Sequence, residues 1–354
     1  MAWTAKTIET PALIVNEAVA LGNIARFQRL CDKRGLLARP HIKTHKSVHF
    51  AKAQMAAGAV GITCQKIAEA EVMAAGGLQD ILIAFNIVGS GKLARLRRLT
   101  TQVARLAVVA DDAAVITGLA QACAGASSPV GVMVECDSGG ARCGIQRPEA
   151  APALAKQIMA SPGLHFAGLM TYPAAGAAGC AVAFMRAALG ALEAAGLPCP
   201  CVSSGGTPDL HGAGTHGLIT EYRAGTYIYN DRSLVLRGAC KQEACAAQVL
   251  ATVVSTPTPR RAVIDAGSKV LTSDMPELGG YGSIYGHPQA QITALSEEHG
   301  VIHSDCEGAF TIGDRLRILP NHVCVVSNML DYVWLEREGA PCERLPIDAR
   351  GCVL

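Results

Sequence analysis

Residues 61–84 read GITCQKIAEAEVMAAGGLQDILIA and contain one complete strand, helix and strand motif. The apolar runs Gly61 to Cys64 and Ile81 to Ala84 predict β-strands. The segment Ala68 to Ala75 lies between them and predicts a helix. Strands and helices that alternate in this way are typical of a parallel sheet whose strands are connected through helices.

The same alternation extends from Thr10 to about Asn230. The longest predicted helices are Asn16 to Arg34 and Ala177 to Ala195. Further strands are predicted at Ala12 to Val15, Arg105 to Val109, Val130 to Cys136, Phe166 to Leu169, Val202 to Ser204 and Tyr227 to Tyr229. About seven such strand and helix pairs in roughly 220 residues fit an eight-stranded (β/α)8 barrel better than an open sheet.

After about Leu236 the pattern changes to short apolar runs that Gly, Pro and Asn interrupt, with little helical periodicity. This pattern predicts a β-rich second domain. We therefore predict a barrel domain over residues 1–236, whose first few residues could join the second domain, and a β-rich domain over residues 237–354. Strands of the second domain are predicted at Val249 to Ser255, Ala262 to Asp265, Gln291 to Leu295, Gly300 to His303, Arg315 to Leu319 and Val323 to Ser327.

The composition limits the classes of function. The 354 residues are 50% hydrophobic and 17% charged, so the chain can bury a large core. A formal net charge of +2 argues against a nucleic-acid surface, which needs a basic stripe. No apolar run reaches the length of a bilayer and Met1 to Val15 has no signal-peptide pattern, so we predict no membrane association and a cytoplasmic location. The 14 cysteines form no CxxC pair, which suits a reducing compartment.

Residues 39–47 read RPHIKTHKS and place two lysines, two histidines and an arginine close together. Pro40 extends the backbone, so Ile42 and Lys43 are predicted to end a strand with Lys43 facing the barrel interior. Active sites of such barrels lie at the C-terminal ends of the strands. Loss of solvation there would lower the lysine pKa toward the value that imine chemistry needs. A solvated basic loop is the alternative interpretation of these nine residues.

Two glycine-rich turns follow later apolar runs. Ser203 to Thr207 reads SSGGT and offers closely spaced N–H groups and hydroxyls, as an anion-binding turn requires. Arg223 to Tyr227 reads RAGTY and is a comparable anion site. Neither turn matches a nucleotide-binding fingerprint, and an ordinary turn is the alternative for each.

Residues 320–324 read PNHVC. On an extended strand, His322 and Cys324 would project to the same face, and their nitrogen and sulfur donors suit zinc. Two protein ligands leave positions open for water or substrate, which indicates a metal that takes part in chemistry. The alternative is a histidine and a cysteine buried in the core of the β-rich domain.

Five sequence motifs together resemble the D-serine dehydratase and D-threonine aldolase family. They are residues 10–15 (TPALIV), 39–46 (RPHIKTHK), 137–144 (DSGGARCG), 296–300 (SEEHG) and 320–324 (PNHVC). They occur in the expected order over nearly the whole chain. This family belongs to the fold-type III pyridoxal phosphate enzymes. The resemblance implies a (β/α)8 TIM-type barrel of alanine-racemase type followed by a C-terminal β-rich domain.

The resemblance also implies roles for individual residues. Lys43 carries pyridoxal phosphate, Arg142 approaches the phenolic oxygen of the cofactor, and Arg223 lies near its pyridine nitrogen. Because an arginine yields no proton, the ring nitrogen would stay unprotonated and the cofactor would be a weaker electron sink. His322 and Cys324 match the metal pair of the dehydratase branch, which favours zinc over magnesium or manganese. The phosphate is expected at Ser203, Ser204, Gly205, Gly206, Thr207, Gly225, Thr226 and Tyr227.

The sequence departs from the family just after the predicted strand Phe166 to Leu169. Many relatives have a histidine just after the positions of Thr171 and Tyr172, whereas this chain has Pro173, Ala174 and Ala175. A catalytic or substrate-positioning group is therefore expected elsewhere. The candidates are His45, Tyr172, His211 and His299.

The activity that the resemblance implies is that of a pyridoxal phosphate- and metal-dependent lyase for small β-hydroxy-D-amino acids such as D-serine or D-threonine. A dehydratase would form a 2-oxo acid and ammonia, and an aldolase would form glycine and an aldehyde. Cys324 favours the dehydratase. An amino-acid racemase and a non-enzymatic pyridoxal phosphate carrier are the alternatives, of which the carrier leaves the second domain unexplained. A homodimer is expected because the β-rich domain of two-domain relatives covers the partner's barrel mouth.

Overall fold

A computed structural model describes Thr4 and residues 6–354 of the chain. The described residues form two compact units. The barrel unit comprises Arg26–Lys43, Val48–Gly225 and Cys352–Leu354, and the mixed-sheet unit comprises residues up to Ala25, Thr44–Ser47 and Thr226–Gly351. The domain limits predicted from the sequence, 1–236 and 237–354, stay a prediction, because compactness alone does not test independent folding.

The described residues contain seventeen strands and ten α-helices, which we number in chain order. The strands are β1 (Ala12–Asn16), β2 (Leu37–Ala38), β3 (Ile62–Cys64), β4 (Asp80–Asn86), β5 (Arg105–Ala110), β6 (Val130–Cys136), β7 (Leu164–Thr171), β8 (Val202–Gly205), β9 (Glu221–Arg223), β10 (Ala247–Thr258), β11 (Arg261–Ile264), β12 (Ser283–Ile284), β13 (Ala290–Leu295), β14 (Gly300–Ser304), β15 (Arg315–Leu319), β16 (Tyr332–Glu336) and β17 (Glu343–Pro346). The helices are α1 (Glu17–Lys33), α2 (Val48–Ala56), α3 (Ile67–Ala75), α4 (Ser90–Leu99), α5 (Ala113–Cys123), α6 (Ala151–Ala160), α7 (Ala178–Ala194), α8 (Arg232–Leu236), α9 (Ser268–Leu271) and α10 (Val323–Met329). Within the described part of the chain, no helix combines the length and apolarity that a membrane span requires.

The barrel unit contains a parallel sheet of eight strands in the order β2-β9-β8-β7-β6-β5-β4-β3. A parallel bridge between His41 and Thr63 joins the segment after β2 to β3, so the sheet closes on itself. Helices α2 to α7 connect the strands from β2 to β8, and a short 3-10 helix, Leu210–Gly212, lies between β8 and β9. This architecture confirms the predicted (β/α)8 barrel.

An apolar layer fills part of the barrel interior. Leu82, Val109, Met133 and Met170 come from four successive strands and pack together as one buried cluster. Because side chains alternate along a strand, Glu135 faces the same interior as Met133, two positions nearer the C-terminal end of β6. The apolar layer is therefore a floor beneath polar side chains at the C-terminal ends of the strands, where sites of this fold lie.

The mixed-sheet unit contains nine strands. Seven follow the order β13-β14-β11-β10-β1-β16-β17, and β15 pairs with both β10 and β12. Strand β1 pairs antiparallel with β10 and parallel with β16. The long β10 is the centre of the sheet because it pairs with β1, β11 and β15 along its length. This unit confirms the prediction of a β-rich part in addition to the barrel.

The predicted strand Tyr227 to Tyr229 is wrong, because these residues lie in and just after a 3-10 helix, Thr226–Ile228. The N–H groups of Tyr229 and Asn230 both donate to the carbonyl of Thr226. The Asn23 side-chain amide binds the carbonyl of Ile228 at 3.0 Å. These hydrogen bonds satisfy the backbone locally, so no strand partner is needed.

The predicted strand Val323 to Ser327 is also wrong, because it lies in α10. The buried carboxylate of Asp231 accepts a hydrogen bond from the N–H of Val323 at 3.2 Å. An acceptor at this place satisfies one of the N–H groups that a helix leaves unpaired at its first turn, and a negative charge there is favourable. A side chain 92 residues away in the sequence therefore outweighs the β-propensity of the valines.

We predict that Gly168→Ala lowers the free energy of unfolding by at least about 2 kcal/mol, measured from the midpoint of urea unfolding. Gly168 lies in β7 with φ at +125°, and a Cβ there would fall 2.0 Å from the carbonyl oxygen of Cys201. Gly190 in α7 is the control because its Cβ would meet nothing within 4 Å, so Gly190→Ala should be neutral or stabilising. Equal midpoints for the two variants would contradict this account of β7.

Candidate active site

Lys43 lies in a turn, and the prediction that it ends a strand is wrong. Pro40 has no N–H, so the strand that ends at Ala38 continues only as an isolated bridge at His41. The N–H of Lys43 donates to Nδ1 of His41 at 3.2 Å. His41 Nε2 lies 3.0 Å from Oε1 of Gln65. The turn is thereby held at the barrel end where we expected the site.

Two cationic side chains approach the ring of Tyr172, which follows β7. The distance from Lys43 Nζ to the ring centroid is 5.7 Å, and the distance from Arg142 Cζ is 4.9 Å. Both distances are within the range of cation–π interactions. The structure therefore brings together three of the residues predicted for the site, and their charge suits an anionic ligand.

The loop that carries Arg142 is organised by two carboxylates. Asp137 Oδ1 accepts hydrogen bonds from the N–H groups of Gly139, Gly140 and Ala141. Burial raises the pKa of Asp137, but these bonds and one from the side chain of Gln146 outweigh it and lower that pKa overall. A second carboxylate, that of Asp111, accepts from the N–H of Gly144 at 2.8 Å. The backbone on both sides of Arg142 is thus fixed.

Arg223 is buried at the end of β9 and is held by hydrogen bonds. It donates to the hydroxyl of Ser203 and, at 3.0 Å, to the carbonyl of Thr171. Ser203 in turn donates to Glu221 at 2.6 Å, and Glu221 accepts from Arg39 at 2.6 Å. Burial lowers the pKa of Arg223, although Glu221 opposes this effect. The hydroxyl of Ser203 is engaged in this network, and its predicted contact with the cofactor stays a prediction.

The turn from Ser203 to Thr207 needs glycine for steric reasons. A Cβ on Gly205 would fall 2.2 Å from the carbonyl oxygen of Arg223, so a side chain would separate β8 from β9. Gly206 has φ at +124°, which other residues rarely adopt. The hydroxyl of Tyr222 donates to the carbonyl of Gly206 at 2.7 Å and fixes this backbone. The turn therefore presents bare backbone at the C-terminal end of β8.

The other residues predicted to bind phosphate lie on both sides of the division between the two units. Ser204 and Thr207 are buried in the barrel unit. Gly225 is the last residue of its long segment, and Thr226 and Tyr227 begin the C-terminal segment of the mixed-sheet unit. Their contacts with a cofactor stay predictions.

These features fit pyridoxal phosphate. Lys43 offers a primary amine, Arg142 and Arg223 offer guanidinium groups for the oxygen and nitrogen atoms of the pyridine ring, and Gly205 leaves room for a phosphate beside the backbone. No donor in this set conflicts with that cofactor.

His322 and Cys324 lie in the mixed-sheet unit, and their side chains are hydrogen-bonded to each other. Residue 322 is the N-cap of α10, and residue 324 is in its first turn. His322 Nδ1 lies 2.9 Å from Oδ2 of Asp274. Cys324 Sγ lies 3.1 Å from the hydroxyl of Thr44 and 3.6 Å from that of Thr226. The helix start, rather than a strand face, brings the nitrogen and sulfur donors together.

The donor chemistry of His322 and Cys324 fits a divalent metal with an open coordination sphere. Hydrogen bonding to Cys324 and Asp274 raises the pKa of His322 to about 9, although burial opposes it. A carboxylate on the second ring nitrogen is the usual way to orient a metal-binding histidine. Among the described residues, no group of three or more His, Cys, Asp or Glu side chains is arranged to hold a metal ion.

The other three histidine candidates lie in different settings. His45 is buried and its Nδ1 accepts from the N–H of Ser47 at 3.1 Å. His211 lines a mostly apolar cavity of about 290 Å³ in the barrel unit. His299 is exposed in the turn between β13 and β14. Their predicted catalytic roles stay predictions.

Sequence reasoning missed Glu135, a buried carboxyl group near Arg142. Its side chain is 4% exposed and lines a cavity of about 110 Å³ that Arg142 and Tyr172 also line. Burial raises the pKa of Glu135 to about 7, with Arg142 opposing this effect. The signal was present in the sequence, because Glu135 is the one charged residue of the apolar run VGVMVEC.

Two family models match the chain. "Alanine racemase, N-terminal domain" matches residues 17–233, and "Putative serine dehydratase domain" matches residues 246–335, which include His322 and Cys324. The first match covers more than half of the chain.

Relatives match over nearly the full length. The D-threonine aldolase of Arthrobacter sp. is 35% identical over 97% of this chain and 93% of that protein. The structure of D-threonine aldolase from Filomicrobium marinum superposes with a TM-score of 0.91, at 32% identity over 99% of this chain and 98% of that one. D-threo-3-hydroxyaspartate dehydratase from Delftia sp. HT23 has a TM-score of 0.89, at 31% identity over 97% and 98% of the two chains.

Structures of D-threo-3-hydroxyaspartate dehydratase variants are also similar to this chain. One replaces a histidine by alanine, and another replaces a cysteine two positions later and is in a metal-free form. Full-length similarity at this identity confirms the resemblance carried by the five sequence motifs. The chain belongs to the fold-type III pyridoxal phosphate family of D-threonine aldolase and D-threo-3-hydroxyaspartate dehydratase.

Proposed function

We propose that this chain is a pyridoxal phosphate- and divalent-metal-dependent lyase for β-hydroxy-D-amino acids, and that dehydration is its principal reaction. The contact between His322 and Cys324 carries the proposal. Their spacing of two residues equals that of the histidine and cysteine replaced in the dehydratase variants. The cluster of Lys43, Arg142 and Tyr172 supports the cofactor part of the proposal.

In this proposal the barrel residues bind the cofactor and move one proton. When bound, pyridoxal phosphate supplies an electron sink for negative charge at the substrate Cα. Lys43 Nζ would attach the cofactor and, once the amino group of the substrate has replaced it there, the freed amine would accept the proton from Cα. Arg142 binds the phenolic oxygen. Arg223 donates a hydrogen bond toward the pyridine nitrogen but yields no proton, since a guanidinium stays charged.

In the mixed-sheet unit, His322 and Cys324 hold the metal. When bound, a divalent metal supplies Lewis acidity to the β-hydroxyl of the substrate. Asp274 orients the imidazole of His322 through Nδ1, and Thr44 orients the sulfur of Cys324. We propose zinc, because one nitrogen and one sulfur donor suit it better than magnesium or manganese.

The residues after Tyr172 support dehydration over aldol cleavage. Breaking the Cα–Cβ bond requires a base that removes the proton of the β-hydroxyl. The family resemblance implies a histidine in this segment, whereas Pro173, Ala174 and Ala175 carry no basic side chain. Loss of hydroxide from Cβ needs no such base. The net reaction converts the β-hydroxy-D-amino acid to a 2-oxo acid and ammonia.

D-threonine aldolase activity is the second candidate, because the Arthrobacter aldolase is 35% identical over 97% of this chain. Racemisation is a weaker candidate, since it has no use for a metal at His322 and Cys324. We further propose a homodimer, which the family resemblance supports, and a cytoplasmic location, which the composition supports.

We predict that the purified protein, supplied with pyridoxal phosphate and zinc, converts D-serine, D-threonine or D-threo-3-hydroxyaspartate to a 2-oxo acid and ammonia in equal amounts. The measurement is product analysis by chromatography together with an ammonia assay. Excess glycine and aldehyde would identify the aldolase instead. The D-alanine to L-alanine conversion is the control reaction, and rapid racemisation with no lyase products would contradict the proposal.

We predict that Lys43→Ala abolishes the covalent attachment of pyridoxal phosphate. Borohydride treatment of the wild-type protein should trap the cofactor on one peptide that contains Lys43, whereas the variant should show no trapped peptide in mass spectrometry. Lys52→Ala is the matched control, because Lys52 is exposed on α2. A trapped cofactor on another lysine of the Lys43→Ala protein would show that Lys43 is not the attachment site.

We predict that His322→Ala and Cys324→Ala each lower kcat by more than about a hundredfold. This loss is larger than the loss of activity expected when a residue that only hydrogen-bonds to a metal ligand is replaced. Both variants should keep the absorbance of bound cofactor and lose bound zinc, as measured by plasma emission. Chelation of the wild-type protein should have the same effect. Cys306→Ala is the control, since Cys306 is exposed. Full turnover by the metal-free protein would disprove the metal part of the proposal.

A further inference from the structure

Glu135 is a buried residue that lines a cavity of the barrel unit. It is 4% exposed on β6, and no hydrogen bond to its side chain is formed by the described residues. Burying a carboxylate without hydrogen bonds costs free energy, so such groups are rare unless they have a function. The carboxylate faces the small cavity of about 110 Å³ that Arg142 and Tyr172 line. It is therefore directed into the site described above.

Four charged groups face Glu135. Arg142 and Arg223 favour its ionised form, whereas Asp111 and Asp137 disfavour it. Burial is the largest effect and raises the pKa of Glu135 to about 7. The two arginines are therefore the possible counterions of the ionised carboxylate.

The two arginines differ in the hydrogen bonds that they already make. Arg223 donates to Ser203 and to the carbonyl of Thr171. Arg142 donates no hydrogen bond to any described residue, and its described contact is with the face of the Tyr172 ring. A planar guanidinium with free donors binds a carboxylate through two parallel hydrogen bonds. Arg142 is the better partner on this ground.

We propose that Glu135 is a positioning residue, whose carboxylate is the counterion that orients the Arg142 guanidinium for the phenolic oxygen of the cofactor. This inference rests on the proposed function, because it assumes that the cofactor binds beside Arg142. Glu135 itself touches neither substrate nor cofactor in this arrangement. It acts by holding Arg142 against one side of the site rather than leaving it free to rotate over Tyr172.

The proposed pairing requires the ionised carboxylate. Burial raises the pKa of Glu135 to about 7, with the opposing effect of Arg142 included, so the group is mainly neutral at pH 6 and mainly ionised at pH 8. Lowering the pH should therefore weaken the orientation of Arg142 and mimic replacement of Glu135 by glutamine. Hydrogen bonds lower the pKa of Asp137 overall, so its charge should change little over this range.

The test is a double-mutant cycle on cofactor affinity. The dissociation constant of pyridoxal phosphate is measured by equilibrium dialysis at pH 8 for the wild type, Glu135→Gln, Arg142→Gln and the double variant. We expect Glu135→Gln to weaken cofactor binding about tenfold when Arg142 is present. In a protein that already carries Arg142→Gln, the same substitution should weaken binding less than about twofold, because the effects of two residues that interact are not additive. At pH 6 the wild type should approach Glu135→Gln. Glu135→Asp should restore part of the affinity and of the pH dependence.

Two controls separate positioning from a structural effect. Glu149→Gln removes an exposed carboxylate of the barrel unit and should leave the dissociation constant unchanged. Thermal melting by circular dichroism reports whether Glu135→Gln is folded. A folded variant whose affinity and pH dependence equal those of the wild type would overturn the inference.

A parallel cycle with Arg223→Gln identifies the true partner. If the effect of Glu135→Gln on the dissociation constant depends on Arg223 and adds to the effect of Arg142→Gln, Glu135 pairs with Arg223. That result would overturn the inference. Failure of this inference can be distinguished from failure of the proposed function. If the proposed function is wrong, borohydride should trap no cofactor on Lys43 of the wild-type protein. If only the inference is wrong, borohydride should still trap the cofactor on Lys43.

Discussion

A connected series of hydrogen bonds through Glu221 and the hydroxyl of Ser203 links Arg39 to Arg223, and the site depends on it. Glu221 accepts from Arg39 and from Ser203, and the Ser203 hydroxyl accepts from Arg223. Arg39 also binds Asp80 on β4 at 2.6 Å. Removing one member would leave a buried charge uncompensated, which is far more costly than losing an exposed ion pair. The place of Arg223 is therefore set by Ser203 and, through it, by Glu221 and Arg39.

The chemistry that we propose is carried by separate parts of the fold. The barrel unit holds a cluster of cations and a glycine turn above an apolar floor, and this combination suits a planar anion. The mixed-sheet unit holds a nitrogen and a sulfur donor at the start of a helix. The two parts are joined in the sequence at Lys43 and Thr44, because the hydroxyl of Thr44 contacts Cys324 while the preceding residue belongs to the barrel. The family resemblance confirmed by the relatives explains why both parts are present.

The barrel could be predicted because strand and helix periodicities are local, and β6 has the same bounds in the prediction and in the structure. Prediction failed where distant side chains decide the backbone, as Asp231 does at the start of α10. The short strands β2 and β9 were missed because two or three residues give too short a pattern to detect. The motifs indicated Lys43, Arg142 and the metal pair, whereas Asp274 lies 48 residues from His322 and has no sequence signal. Glu135 was overlooked although a lone carboxyl in an apolar strand marks it.

The turn after Lys43 has consequences for how the protein is made. The hydroxyl of Thr44 contacts Cys324, which lies 280 residues later in the sequence. Lys46 Nζ donates to the side chain of Asn328 and to the carbonyl of Ala349, which lie 282 and 303 residues later. During synthesis the ribosome releases Lys43 long before any of these partners exists. Closing contacts of such high sequence separation is slow because the loop entropy must be lost first. The residue to which we assign the cofactor is thus followed by a turn whose contacts with Cys324, Asn328 and Ala349 form only after those residues have been synthesised.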